Sequence, residues 1–182
     1  HDPEPEEHPE PGGDLDGGDS LVEDLGPIDR EVAGRLDAFL AKYEAAHTDL
    51  EDGRVALLDG KKESAWEKID RAVAFFATLE NAPLPKSRYD AVVELAGGFL
   101  GPPLVPDDLA AATRMTDLAA TLPGADLRLD VARARVRAAS GESAPLPEAT
   151  ALDARWRLLA LEARAALRAA PSDVATLARE AE

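Results

Sequence analysis

From Ile28 almost to its end, the chain repeats apolar residues at helical intervals and nowhere alternates them at the period of a strand. A chain patterned in this way can bury its apolar surface only by packing helix on helix, so the fold class is all-α. Pro27 suits the first position of a helix, and Ile28, Val32, Leu36, Phe39, Leu40 and Tyr43 then form one stripe, which predicts a helix over Pro27 to His47. Leu50, Val55, Leu57 and Leu58 either continue that helix or start a second after a break near Thr48 and Asp49, with Gly60 as the stop.

The later segments follow the same logic. Trp66, Ile69, Val73 and Phe76 predict a helix over Glu63 to Leu79, stopped by Asn81, Pro83 and Pro85. Ser87 is placed to cap a helix bearing Tyr89, Val92, Val93 and Ala96, with Gly97 and Gly98 as its end. After a loop from Gly101 to Pro106, acidic Asp107 and Asp108 open a helix that runs to Pro123. Another is expected from Ala125 to Ala139. Thr150 is expected to cap a helix carrying Leu152, Trp156, Leu159, Ala163 and Leu167, and Ser172 to start a short last one with Val174 and Leu177.

Short connections force neighbouring helices to run antiparallel, which gives a succession of helical hairpins. Within them, Gly53, Ala65 and Ile69, with Gly60 and Ala72 also small, resemble a tetratricopeptide repeat. Ala111, Met115 and Pro123 repeat the signal in a later pair. The sequence departs from the family pattern at Asp49, Asp52, Ala56 and Ala77, which stand where that pattern has Trp, Leu, Tyr and Pro, and at Leu159 and Ala163, where small and bulky are exchanged. The prolines that end the units are about 40 to 48 residues apart, against roughly 34 in the family. The resemblance covers about half the chain and implies a tetratricopeptide-like α-solenoid with a concave surface for a peptide or partner domain. An irregular bundle of seven to eight helices satisfies the same pattern.

Residues 1–26 differ in kind. Ten acids, no Lys or Arg, and the breakers Pro3, Pro5, Pro9 and Pro11 with Gly12, Gly13, Gly17 and Gly18 make this stretch read as an acidic flexible stalk ahead of a helical domain over 27–182. The formal net charge of -16 is concentrated there, since the remaining 26 acids face 20 bases. Such a chain repels nucleic acid and anionic membrane surfaces, and neither is expected as a partner. No run is apolar enough to insert in a bilayer. A stalk of this composition commonly follows a cleavage or anchoring site, so an extracytoplasmic location is favoured over a cytoplasmic one.

The chemistry available is narrow, with no cysteine and three histidines among 182 residues. His1 and His8 could hold Cu(II) or Zn(II) together with a terminal amine, which would make a metal-handling or ligand-binding protein. Asp14, Asp16 and Asp19 fail the EF-hand pattern, because Gly18 and Leu25 stand where oxygen ligands are required. His47 is expected at the C-terminal end of the first helix, favoured there by the helix dipole. Trp66 and Trp156 read as core anchors. No catalytic residues and no cofactor are expected. Tyr89, Arg128, Arg133, Arg135 and Arg137 are the candidate partner-binding residues, with Arg133 and Arg137 one turn apart on a shared face. The expected function is a non-catalytic interaction or scaffold module for a protein or peptide; a structural subunit of a larger assembly is the other reading.

Overall fold

The computed structural model describes residues 26–168, and these form six helices joined by turns and loops. They are α1 (Pro27–Leu58), α2 (Lys62–Phe76), α3 (Arg88–Phe99), α4 (Pro106–Ala120), α5 (Leu127–Ala139) and α6 (Ala154–Arg168). Six replaces the seven to eight expected, for two reasons. The segment after His47 does not break but continues α1 to Leu58, and the short helix expected from Ser172 lies outside the described residues. Residues 1–25 of the stalk expected over 1–26, with His1, His8 and Asp14 to Asp19, also lie outside them.

Two compact units divide the chain at Ala41 and Lys42, within α1. In the first, the described residues are the N-terminal part of α1. Its stripe is largely solvent-facing: Ile28 is 78%, Val32 59% and Leu36 55% exposed, and Phe39 and Leu40 are also exposed. The second unit holds the core. There the continuing α1 buries Ala46, Leu50, Ala56 and Leu57.

Side-chain caps set three of the helix starts. The Ser87 hydroxyl accepts from the Asp90 N–H at 3.0 Å, as its position before an apolar-periodic run predicts. The Asp126 carboxylate accepts from the Arg128 N–H at 3.0 Å and starts α5. At α6 the cap is Asp153, accepting from the Trp156 N–H at 3.1 Å, and not Thr150, which lies in the preceding turn. Gly97 and Gly98 do not end α3. The helix passes through both to Phe99, because tertiary packing requires the absence of a side chain at Gly97.

Contacts run along the sequence. Within the second unit, Gly53 of α1 meets α2, where a side chain at this position would fall 2.6 Å from Ile69 Cγ1 and 3.0 Å from the Ala65 carbonyl oxygen. From α2 onward each helix packs on the next, and α3 also touches α5. Small residues make this closeness possible: Ala65, Ala72, Ala91, Ala96, Ala112, Ala119, Ala132 and Ala163 are all fully buried. Trp156, Tyr89, Phe76 and Ile69 fill the remaining volume. Among the described helices none is long and apolar enough to cross a membrane.

Candidate functional site

Five positions carry the sequence-based expectation of a contact surface, and the structure separates them into an interior group and an exterior pair. Tyr89 is in the first turn of α3, where the helix turns it inward, and it is 1% exposed. Its hydroxyl donates to Asp126 Oδ1 at 2.8 Å and accepts from the Asp126 N–H at 3.1 Å, tying the start of α3 to the start of α5. Tyr89 therefore belongs to the core and is not a partner-contact residue.

Arg128 sits beside it, 5.4 Å above the Tyr89 ring. Its guanidinium donates to Asp90 at 2.6 Å, to Glu94 at 2.9 Å and to Asp126 at 2.8 Å, and its side chain is 18% exposed. Glu94 is the hub of the network. One of its carboxylate oxygens also accepts from the Trp156 indole N–H at 3.0 Å, and the other from Arg155 at 3.2 Å, so α3, α5 and α6 are pinned at one point. Burial works against the charge on Arg128, but the three carboxylates outweigh it and hold the guanidinium protonated well above its usual value. Burial likewise pushes the Tyr89 hydroxyl up, to about 12. At Asp126 burial opposes ionisation, yet hydrogen bonds from Arg128 and Tyr89 prevail and lower its pKa. Arg128 is thus committed internally and is corrected from surface to structural.

Arg135 is also interior. Its Nε lies 3.6 Å from Glu162 Oε2 with 11% of the side chain exposed, an ion pair between α5 and α6. Both of those atoms are buried and lack a hydrogen-bond partner among the described residues. Only Arg133 and Arg137 meet the expectation of exposed bases sharing a face.

A cleft of about 530 Å³ adjoins the Arg128 network and includes His47, Glu51, Arg54 and Asp153. The helix running on to Leu58 leaves His47 in mid-helix, so no C-terminal dipole acts on it. Its ring instead packs between Tyr43, at 4.5 Å, and Phe76, at 5.0 Å, with Nε2 buried and lacking a hydrogen-bond partner among the described residues. The charges of the cleft largely satisfy one another. Arg54 donates to Glu51 and to the Ala91 carbonyl, Arg155 to Glu94, and Asp153 is occupied as a helix cap. This arrangement is built for cohesion between helices, and it offers no nucleophile set against a base. Among the described residues no group of three or more His, Asp or Glu is placed to hold a metal ion.

The outer side of α4 and α5 is different. Arg133 and Arg137 are exposed and have no hydrogen bond or ion pair among the described residues. They border a groove of about 660 Å³ whose other wall is the loop Ala144–Pro147. Sequence reading did not single out Thr116, which lines a smaller cavity next to this groove. A hydroxyl in the middle of the apolar stripe Ala112, Met115, Ala119 was the available signal.

Compared with protein-family models, with curated proteins and with solved structures, the chain finds no significant match.

Proposed function

We propose that this chain is a non-catalytic interaction module that receives an amphipathic helix of a partner protein along the N-terminal part of α1. The observation that carries this reading is the exposed run Ile28, Val32, Leu36, Phe39 and Leu40, five large apolar side chains on one helix face. A contiguous row of this kind marks an interaction surface, whereas single exposed leucines do not. Its spacing identifies the shape of the occupant. Leu36, Phe39, Tyr43, Ala46, Leu50, Gly53 and Leu57 follow one another at alternating steps of three and four, the seam that another helix fits. Ala46, Leu50 and Leu57, later in that seam, are buried in the core, while Leu36 is 55% and Phe39 39% exposed.

The resemblance to tetratricopeptide repeats supports the same class of function, since such helical hairpins serve as scaffolds for peptides and partner domains. Covering five half-exposed side chains contributes roughly 1 kcal/mol each, which association costs largely offset. The affinity for a generic helix is then modest, on the order of micromolar or weaker.

The test is a calorimetric titration with an amphipathic peptide carrying leucine at three- and four-residue steps, on the native chain and on V32E/L36E. Saturable binding by the native chain and its loss in a variant with an unchanged melting curve is the expected result. Equal binding by both removes the stripe from the function. Sedimentation of the native chain alone shows whether a second copy competes for the same face.

A further inference from the structure

We propose that the α4–α5 face holds a second binding site, one that takes a carboxylate of a peptide segment, with Arg133 and Arg137 as its cationic wall and Thr116 as its buried donor. The site is independent of the α1 stripe and stands or falls without it.

Three observations converge. First, Thr116 is 3% exposed and its hydroxyl has no hydrogen-bond partner among the described residues, whereas the neighbouring Thr113 donates to the Leu109 carbonyl at 2.7 Å. A buried hydroxyl left without a partner costs stability and is uncommon in folded proteins, so its retention calls for a ligand atom to complete it. Secondly, Thr116 lines a cavity of about 110 Å³ together with Arg133 and Arg137, the two arginines of α5 that make no ion pair among the described residues. Every other arginine of α5 and its cap is engaged: Arg128 with three carboxylates and Arg135 with Glu162. Thirdly, the cavity adjoins the groove of about 660 Å³ walled by Ala144, Pro145, Leu146 and Pro147, and the two share Asp117, Arg133 and Arg137.

Charge selects among anions. In the small cavity two guanidinium groups face one carboxylate, that of Asp117, leaving one positive charge. A singly charged carboxylate balances this, while a phosphate dianion would be left half compensated beside Asp117. The cavity admits one such group, and the wider groove has room for the residues on either side of it. There Asp130 joins Asp117, so the groove as a whole is neutral and disfavours a run of acids. The ligand is thus a peptide with one anchoring carboxylate, from a Glu or Asp side chain or from a C-terminus, flanked by uncharged residues of which one packs on Leu146, itself 38% exposed.

Fluorescence anisotropy on the full chain tests this with octapeptides of serine and leucine bearing an uncharged BODIPY label, blocked at both ends, carrying either one central glutamate or one central glutamine. A third peptide has the glutamine and a free C-terminal carboxylate. The glutamate peptide or the free-carboxylate peptide is expected to bind at least about tenfold tighter than the neutral one, the worth of one charge-assisted contact, and the better of the two names the source of the carboxylate. R133A and R137A should each weaken that binding by about tenfold, and T116V by several-fold. None of the three should lower the melting temperature, since among the described residues the arginines are exposed and unpaired and the hydroxyl satisfies nothing. Equal affinity for the three peptides, absence of saturable binding at millimolar concentration, or indifference to T116V and R133A overturns the site. Tighter binding of a phosphoserine peptide than of the glutamate peptide overturns the carboxylate assignment.

Discussion

The ring of Trp156 occupies the space that a side chain on Gly97 would need: a Cβ built there falls 2.8 Å from both Cζ2 and Cη2 of the indole. Alanine at position 97 would gain about 1 kcal/mol in helix propensity and meet an overpacking cost of about 1 to 3 kcal/mol against a fully buried ring. G97A should therefore lower the melting temperature by several degrees. G98A is the control, because its Cβ meets only the flexible Arg155 guanidinium at 3.4 Å. It should leave the temperature unchanged or raise it, and thermal circular dichroism on the pair reads the difference.

Two glycines of α1 make the same contrast within one helix. At Gly53 an added Cβ would lie 3.0 Å from the Ala65 carbonyl oxygen, a backbone atom that cannot rotate away, and 2.6 Å from Ile69 Cγ1. At Gly34 nothing lies within 4 Å. G53A should cost about 2 to 3 kcal/mol by forcing α1 from α2, and G34A should add up to about 1 kcal/mol. Urea denaturation midpoints order the two; a neutral G53A would mean that the first hairpin does not pack as closely as Gly53 and Ala65 indicate.

The pattern of apolar residues made the helices readable, and local rules placed the cap at Ser87 and the stop at Gly60. Local rules failed where a distant residue decided the outcome. Two adjacent glycines look like a helix end from either side, and only Trp156, far along the chain, gives Gly97 a reason to lie inside α3. Thr150 and Asp153 are both acceptable caps, and Asp153 wins because α6 begins where Trp156 can reach Glu94. Among the expected contact residues, Arg128 and Arg133 look alike as sequence. Arg128 finds Asp90 and Glu94, 38 and 34 residues away, while Arg133 finds no such partner among the described residues, and no periodicity encodes that distinction.

Glu94 is where three helices depend on one carboxylate, which makes its charge measurable as stability. E94Q keeps the shape but weakens the contacts to Arg128 and Arg155, leaving a partly buried guanidinium less compensated. A loss of about 1 to 3 kcal/mol is expected, the lower end reflecting the 25% exposure of the Glu94 side chain. Combining E94Q with W156F should give a coupling of at least about 0.5 kcal/mol in a double-mutant cycle. Strict additivity in urea would show that the charge of Glu94 adds nothing to the 3.0 Å bond from the indole, which glutamine still accepts.

Stability should fall at both extremes of pH for separate reasons. On the acid side, the hydrogen bond from Arg71 lowers the pKa of Asp49, that from Arg88 lowers Asp70, and those from Arg128 and Tyr89 outweigh burial to lower Asp126. Carboxylates whose folded pKa lies below the unfolded 3.8 stabilise the protein fully above that value and lose the contribution as the pH drops beneath it. On the alkaline side, burial raises Tyr89 from 10.0 to about 12, so the unfolded chain releases the phenolic proton first. The stability held by the neutral hydroxyl is intact below pH 10 and declines between pH 10 and about 12, by roughly 2 to 3 kcal/mol in all. Y89F lacks the ionisable group, and although it starts lower for want of the bond to Asp126, its urea midpoint should fall less steeply across that interval. Parallel declines for the two proteins would assign the alkaline loss to other groups and leave Tyr89 with a packing role alone.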